Sequence, residues 1–158
     1  MSDDPGRANL ADAVAEPHAI LVRPFRTADQ AEARALVLAG LGEHFGFIDE
    51  TLNGDLEDID ASYIRRGDEF FVADVDGRIT GTAGLIFESA DVARIVRMSV
   101  DAGHRRSGIA SALVAACKAA AGRRRATELH VYTEPHWHDA MAFYTSQGFV
   151  AYGRDSID

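Results

Sequence analysis

The sequence has a single cysteine, Cys117, in 158 residues, so no intramolecular disulfide can form. Cys117 falls inside an alanine-rich helical pattern and reads as a small buried side chain. No run of about 18 apolar residues occurs, so no membrane span is expected. The N-terminus, Met1-Ser2-Asp3-Asp4, lacks the basic-then-apolar order of a secretory leader. These absences make a cytoplasmic location the expectation. Positive charge is also scarce, with 16 Lys and Arg against 25 Asp and Glu and a formal net charge of -9. Such a field repels nucleic acid, whose binding relies on cations neutralising phosphates, and attracts cations, protonated amines among them.

Apolar residues make up 47% of the chain, the composition of a globular protein, and the length suits one domain. Residues 1–17 carry Asp, Ala and Pro with little apolar patterning and are expected to be a disordered tail, leaving 18–158 as the domain. Residues 19–25 read as a first strand. Thr27 is the expected N-cap of a helix whose apolar positions Ala31, Ala35, Leu38 and Leu41 recur at helical spacing. The stretch 43–60 holds seven carboxylates and no Lys or Arg. It reads as a solvated face or as an amine-attracting rim, and its later part, 55–66, as a second short helix. Strands follow at 69–75, 79–87 and 92–100, the first two joined by Asp76-Gly77, a tight hairpin turn. A helix at 108–121, a strand at 127–133, a helix at 137–146 and a last strand from Phe149 complete the order β-α-α-β-β-β-α-β-α-β. That order predicts a single α/β (α+β) domain, a mixed sheet flanked by helices.

Chemistry concentrates where the strand Ile95-Val96-Arg97-Met98-Ser99-Val100 runs through Asp101-Ala102-Gly103-His104 into Arg105-Arg106-Ser107-Gly108-Ile109-Ala110. A helix that opens here presents free backbone N–H groups and the positive end of its dipole, which suits phosphate oxygens. Gly108 and Ala110 let an anion come close to the backbone. The loop lacks the Gly-Lys-Ser/Thr ending of a P-loop and the three glycines of a dinucleotide fingerprint. On spelling alone it reads equally as an anion site or as a basic turn before a buried helix. Further on, Trp137, Ala140, Met141 and Tyr144 share a helical face, and Gly148 stands where a C-cap belongs. Alone, Tyr144 reads as a core aromatic. Arg123-Arg124-Arg125 follows a helix end and complements its dipole from water.

Taken together, Arg-x-x-Gly-x-Ala opening a helix and Ala-x-x-Phe-Tyr-x-x-x-Gly-Phe about thirty residues later resemble the GCN5-related N-acetyltransferase (GNAT) family, over about residues 19–149. The resemblance implies acetyl-CoA as co-substrate, in a cleft between two splayed parallel strands. Backbone groups of Met98 and Val100, flanking Ser99, would bond the pantetheine arm. Backbone N–H groups across Arg105, Arg106, Ser107, Gly108, Ile109, Ala110 and Ser111 would hold the pyrophosphate. Tyr144 would protonate the leaving CoA thiolate. The implied reaction moves the acetyl group to a primary amine of a small molecule or peptide. A non-catalytic acyl-CoA-binding or sensing module on the same fold is the alternative.

Three departures from the family pattern stand out. Trp137 replaces a frequent Asn, Arg94 falls where many members place a Glu base, and nine residues after Phe149 leave no room for the usual seventh strand. Candidates to take the amine proton are Glu43, His44, Asp49 and Glu134. His130, Glu134, His136 and His138 do not fit a familiar zinc spacing, so no metal is expected. The missing strand predicts an open sheet edge near the C-terminus, and with it a homodimer that covers it.

Overall fold

The computed structural model describes residues 19–45, 53–133 and 137–152, at 43–45 the backbone only. The expected tail, residues 1–17, therefore lies outside the described residues. Five strands form one sheet in the order β1-β2-β3-β4-β5. They are β1 (Leu21–Pro24), β2 (Glu69–Val75), β3 (Arg78–Phe87), β4 (Val92–Val100) and β5 (Glu128–Val131). Neighbours are antiparallel except β4 and β5, which are parallel. The hairpin turn at Asp76-Gly77 has positive φ at both residues (55° and 85°), the conformation that a two-residue connection between twisted strands needs.

Each face of the sheet carries its own core. On one face lies helix α1 (Gln30–Phe45), with Ala33, Val37 and Leu38 packed on Phe70, Val72 and Ile79. On the other lies α2 (Ile109–Arg123), whose Ile109, Leu113, Val114 and Cys117 are buried against Ala83, Leu85 and Ile95. Helix α3 (His138–Ser146) adds Tyr144 to this second core. Two glycines of β3 allow the close approach of these layers. A Cβ at Gly81 would lie 2.6 Å from Ile109 Cγ2, and one at Gly84, on the opposite face, 2.9 Å from Val96 Cγ2 and 3.2 Å from Tyr63 Cε1.

Several sequence expectations need correction. Thr27 does not cap α1: a 3₁₀ turn, Thr27–Asp29, comes first. Asp29 reaches back to accept from the Arg26 N–H at 2.8 Å and pairs with Arg23 at 2.8 Å. The helix expected over 55–66 is broken into a 3₁₀ turn, Gly54–Leu56, and a π-helical turn, Asp60–Ile64. No strand forms over the described residues after α3; Val150 and Tyr152 are 85% and 78% exposed. Phe149 serves instead in a helix stop. Its N–H donates to the Tyr144 carbonyl and that of Gly148 to Thr145, both at 3.0 Å, the paired bonds of a Schellman motif. The Phe149 ring also packs edge-on to Tyr144, with centroids 5.6 Å apart. Met141 is 37% exposed, so the inward face of α3 runs through Ala140, Phe143 and Tyr144. Arg124, though exposed, is also held: it donates to the Gly67 carbonyl at 2.8 Å and lies 3.6 Å over the Phe87 ring. Among the described residues no helix is long and apolar enough to cross a membrane.

Candidate functional site

The parallel pairing of β4 and β5 runs from Val92↔Glu128 to Ile95↔Val131 and stops. β4 continues for five more residues, 96–100, without β5 beside it. The sheet is thus split here: the 96–100 edge of β4 has no β5 residue paired with it. The same segment of β4 is bulged. Between Gly84↔Val96 and Thr82↔Ser99, β3 advances two residues and β4 three. The extra residue sits at Arg97, with φ at 52°. The Thr82 hydroxyl, fully buried, donates to the Arg97 carbonyl at 2.8 Å. Peptide bonds here are trans, so the Met98 N–H in the same peptide plane points away from Thr82. Met98 itself is partly buried against the α2 core. Ser99 turns its hydroxyl toward Gly40 of α1, where an added Cβ would lie 3.5 Å from it. Only its backbone therefore remains on the side of the split. The Val100 carbonyl accepts from Arg105 Nε at 3.4 Å.

The loop from β4 to α2 is fixed by its own polar contacts. Asp101 accepts from Gly103 N at 3.3 Å and meets His104 Nδ1 at 2.8 Å, and its N–H donates to Thr80 O at 2.9 Å. The hydrogen bond with His104 comes first in holding the Asp101 carboxyl below its ordinary range. The Ser107 hydroxyl donates to the His104 carbonyl. Arg105, Arg106, Ser107 and Gly108 are exposed, while Ile109 is buried and pins the helix start against β3. Gly108 is the N-cap, with φ 89° and ψ 2°. A Cβ built there meets nothing within 4 Å. Within α2 the first ladder bond is Ala112 N to Gly108 O at 3.0 Å. The N–H groups of Ile109, Ala110 and Ser111 therefore have no intrahelical acceptor. The structure thus places Arg105, Arg106, Ser107 and Gly108 in an exposed loop that runs directly into the open first turn of α2. Ser111 Oγ is engaged by Gln147 Nε2 at 3.1 Å, tying the foot of α3 to the start of α2.

Tyr144 is buried, between Phe143 and Phe149. Burial, and next the neighbouring Cys117, push its phenol above the ordinary tyrosine range, so it holds its proton at neutral pH. Of the four acceptor-side candidates, Glu43 and His44 ride the last turn of α1, where only the backbone is described. Asp49 and Glu134 lie outside the described residues.

The other face of β4 holds a feature that the sequence did not announce. A cleft of about 710 Å³ is lined by Asp55, Tyr63, Arg66, Arg94, Arg97 and Tyr132, among others. At its floor Arg97 grips Asp55 through two bonds, Nη2 to Oδ1 at 2.6 Å and Nε to Oδ2 at 3.0 Å. Tyr63, buried, donates its hydroxyl to Asp55 Oδ2 at 2.6 Å. Burial opposes the ionisation of Asp55, but the bonds from Arg97 and Tyr63 outweigh it and hold the carboxyl below the usual range. Asp55 is therefore not part of a solvated acidic face. The available signals were the charge of Arg97 inside an apolar strand and the spacing of Asp55 and Tyr63. Neither points across 42 residues of chain. Arg94 is bonded to Glu88 at 3.0 Å and lies 5.1 Å over the Tyr132 ring. His130 meets Glu128 at 2.8 Å. Among the described residues no three His, Cys, Asp or Glu side chains converge as a metal site would need.

Comparison with known proteins bears on this arrangement. Residues 66–151 match the sequence profile described as the acetyltransferase (GNAT) domain. N-acetyltransferase 8 of Homo sapiens is 34% identical over 114 residues, 68% of this chain and 50% of that protein. N-acetyltransferase 8 of Rattus norvegicus is 31% identical over 118 residues, 71% of this chain and 53% of that one. The chain thus spans about half the length of the curated relatives it matches. Among solved structures, an acetyltransferase of the GNAT family from Staphylococcus aureus Mu50 superposes with a TM-score of 0.78 at 24% identity, covering 86% of this chain and 87% of that one. The aminoglycoside N-acetyltransferase AAC(6')-Iy in complex with CoA gives 0.73 at 18% identity, covering 91% and 96%. At these identities the structural likeness establishes the fold.

Proposed function

The chain belongs to the GNAT acetyltransferase family, and from that premise we propose that it moves the acetyl group of acetyl-CoA to a primary amine of a small molecule or peptide. The observation that carries this reading is the split between β4 and β5 beside the open first turn of α2. The turn suits the pyrophosphate, on the N–H groups of Ile109, Ala110 and Ser111, with the Arg105-Arg106 segment beside it. The exposed edge of 96–100 suits the pantetheine arm. The thioester carbonyl would then meet the Met98 N–H.

In this scheme a neutral amine from the cleft attacks that carbonyl. A C–N bond forms and the carbonyl oxygen becomes an oxyanion held by Met98 N–H, an effect worth roughly 2.7–4 kcal/mol for one such donor in other enzymes. Collapse breaks the C–S bond, and the thiolate takes the Tyr144 proton. A phenol is protonated at neutral pH, as a donor must be. The amine proton leaves to a base on the acceptor side, for which Glu43, His44, Asp49 and Glu134 are the candidates. The site acts without a metal in this scheme, and a cytoplasmic location fits it.

Steady-state release of free CoA across a panel of primary amines tests the reading, and turnover with at least one amine is expected. One observation favours a second reading: Arg94, tied to Glu88, stands where many members carry their base. Tight acetyl-CoA binding without turnover on any amine would favour a non-catalytic acyl-CoA module. For assembly, β5 is hydrogen-bonded on one side only among the described residues, and we propose a two-fold homodimer that covers this edge.

A further inference from the structure

We propose that Tyr63, Asp55 and Arg97 form a positioning latch that holds the β4 bulge, so that the Met98 N–H meets the thioester carbonyl. The inference rests on the acyl-CoA reading above.

Arg97 sits at φ 52°, a region that side chains other than glycine seldom occupy. Two restraints from opposite ends of the residue keep it there. The carbonyl is held by the buried Thr82 hydroxyl at 2.8 Å. The guanidinium is held by the paired bonds to Asp55 at 2.6 and 3.0 Å. A planar fork on a planar carboxylate fixes orientation as well as distance. Asp55 is in turn fixed from two sides. It rides the 3₁₀ turn whose next residue, Leu56, is fully buried, with Leu56 N–H bonded to Asn53 O at 3.0 Å. Its Oδ2 accepts from Tyr63, whose ring packs against Phe70 with centroids 5.1 Å apart. The path therefore runs from a core aromatic through a carboxylate to a strained backbone position.

The consequence follows from the peptide plane. If φ of Arg97 relaxes to a negative value, the side chain swings away from Asp55 and the 97–98 peptide rotates. The Met98 N–H then leaves the direction that the Thr82 bond imposes. Tyr63, Asp55 and Arg97 thus act on the reaction through a neighbouring amide and not by touching the reacting atoms.

Calorimetric binding of acetyl-CoA and of CoA to the full chain tests this, alongside kcat and the KM for an accepted amine. Wild type should prefer acetyl-CoA over CoA. Asp55→Asn keeps the shape and removes the charge. It should cut that preference by about three- to tenfold, the worth of one net hydrogen bond, while CoA affinity stays within about twofold. Its kcat should fall by roughly 10² with little change in amine KM. Tyr63→Phe, which removes one hydroxyl, should shift the same quantities in the same direction by less. Arg97→Lys, which keeps the charge but not the fork, should lose the preference as Asp55→Asn does. An unchanged acetyl-CoA preference and kcat in folded Asp55→Asn would overturn the proposal. So would an equal loss of affinity for both nucleotides, which would mean that the trio only holds the fold. If Asp55→Asn does not fold, Tyr63→Phe decides on the same ratios. A wild type that binds neither nucleotide would overturn the acyl-CoA reading itself, and the latch with it.

Discussion

Replacing Gly108 by Glu tests the proposed coenzyme loop apart from the rest of the fold. Gly108 has φ 89°, and a Cβ there meets nothing within 4 Å. The change should therefore cost stability only through backbone strain, about 1–2 kcal/mol for an L-residue in the left-handed region. For a domain of this size that lowers Tm by roughly 2–8 °C. Gly108→Ala has the same strain without charge and serves as the reference. A carboxylate about 4 Å from a phosphate charge is repelled by roughly 1 kcal/mol at the dielectric constant of water and about 4 kcal/mol at an effective value of 20. The exposed loop lies toward the weaker end. Acetyl-CoA affinity should still fall at least about tenfold, or 1.4 kcal/mol, beyond the loss in Gly108→Ala. Calorimetry on both variants, with circular dichroism to confirm folding, measures the difference. Equal affinities for the two would refute a phosphate cradle at this turn and leave an ordinary basic bend.

Tyr144→Phe removes one hydroxyl and should lower kcat by about tenfold or more while acetyl-CoA affinity holds; an unaltered kcat in a chemistry-limited assay would leave Tyr144 a core aromatic. Burial pushes the Cys117 thiol up to about 12 from an ordinary 9. Above pH 9 the unfolded chain ionises first, so stability should fall by about 1.4 kcal/mol per pH unit between pH 9 and 12. The difference between wild type and Cys117→Ala in urea unfolding isolates this slope, and a flat difference would contradict it. Asp29 is buried, and its carboxyl is held low chiefly by the hydrogen bonds from Arg23, against the effect of burial. Asp29→Asn should cost about 2 kcal/mol at pH 7, less than a fully buried pair because Arg23 keeps Asp74 at 3.3 Å. That cost should shrink as pH falls below the ordinary carboxyl range, where Asp29 itself takes up a proton. Sedimentation at tens of micromolar should give a dimer, and a 17.1 kDa monomer would refute the covered edge.

What the chain revealed in advance depended on how local each signal was. β2 and β4 occupy the residues that their apolar runs predict, and α2 starts one residue after the predicted Gly108. Asp76-Gly77 needs only its own two residues to make a turn. The same holds for Gly108 and for the stop at Gly148. Asp55, Tyr63 and Arg97 escaped notice because their meaning lies in a contact 42 residues apart along the chain. Composition made Asp55 one carboxylate among seven. No strand begins at Phe149: an apolar residue there reads the same whether it enters a sheet or folds back on Tyr144, and it folds back.

The glycines at 81 and 84 make β3 a thin partition between two chambers. A single methyl group on either side would act as a shim. At residue 81 it would lift the start of α2 and tilt the loop before it. At residue 84 it would press on Val96 and Tyr63, which line the cleft over Arg97. Each chamber therefore has its own adjusting point on one shared wall. A net gain of one carbon and two hydrogens would thus press on one chamber while the opposite face keeps its packing.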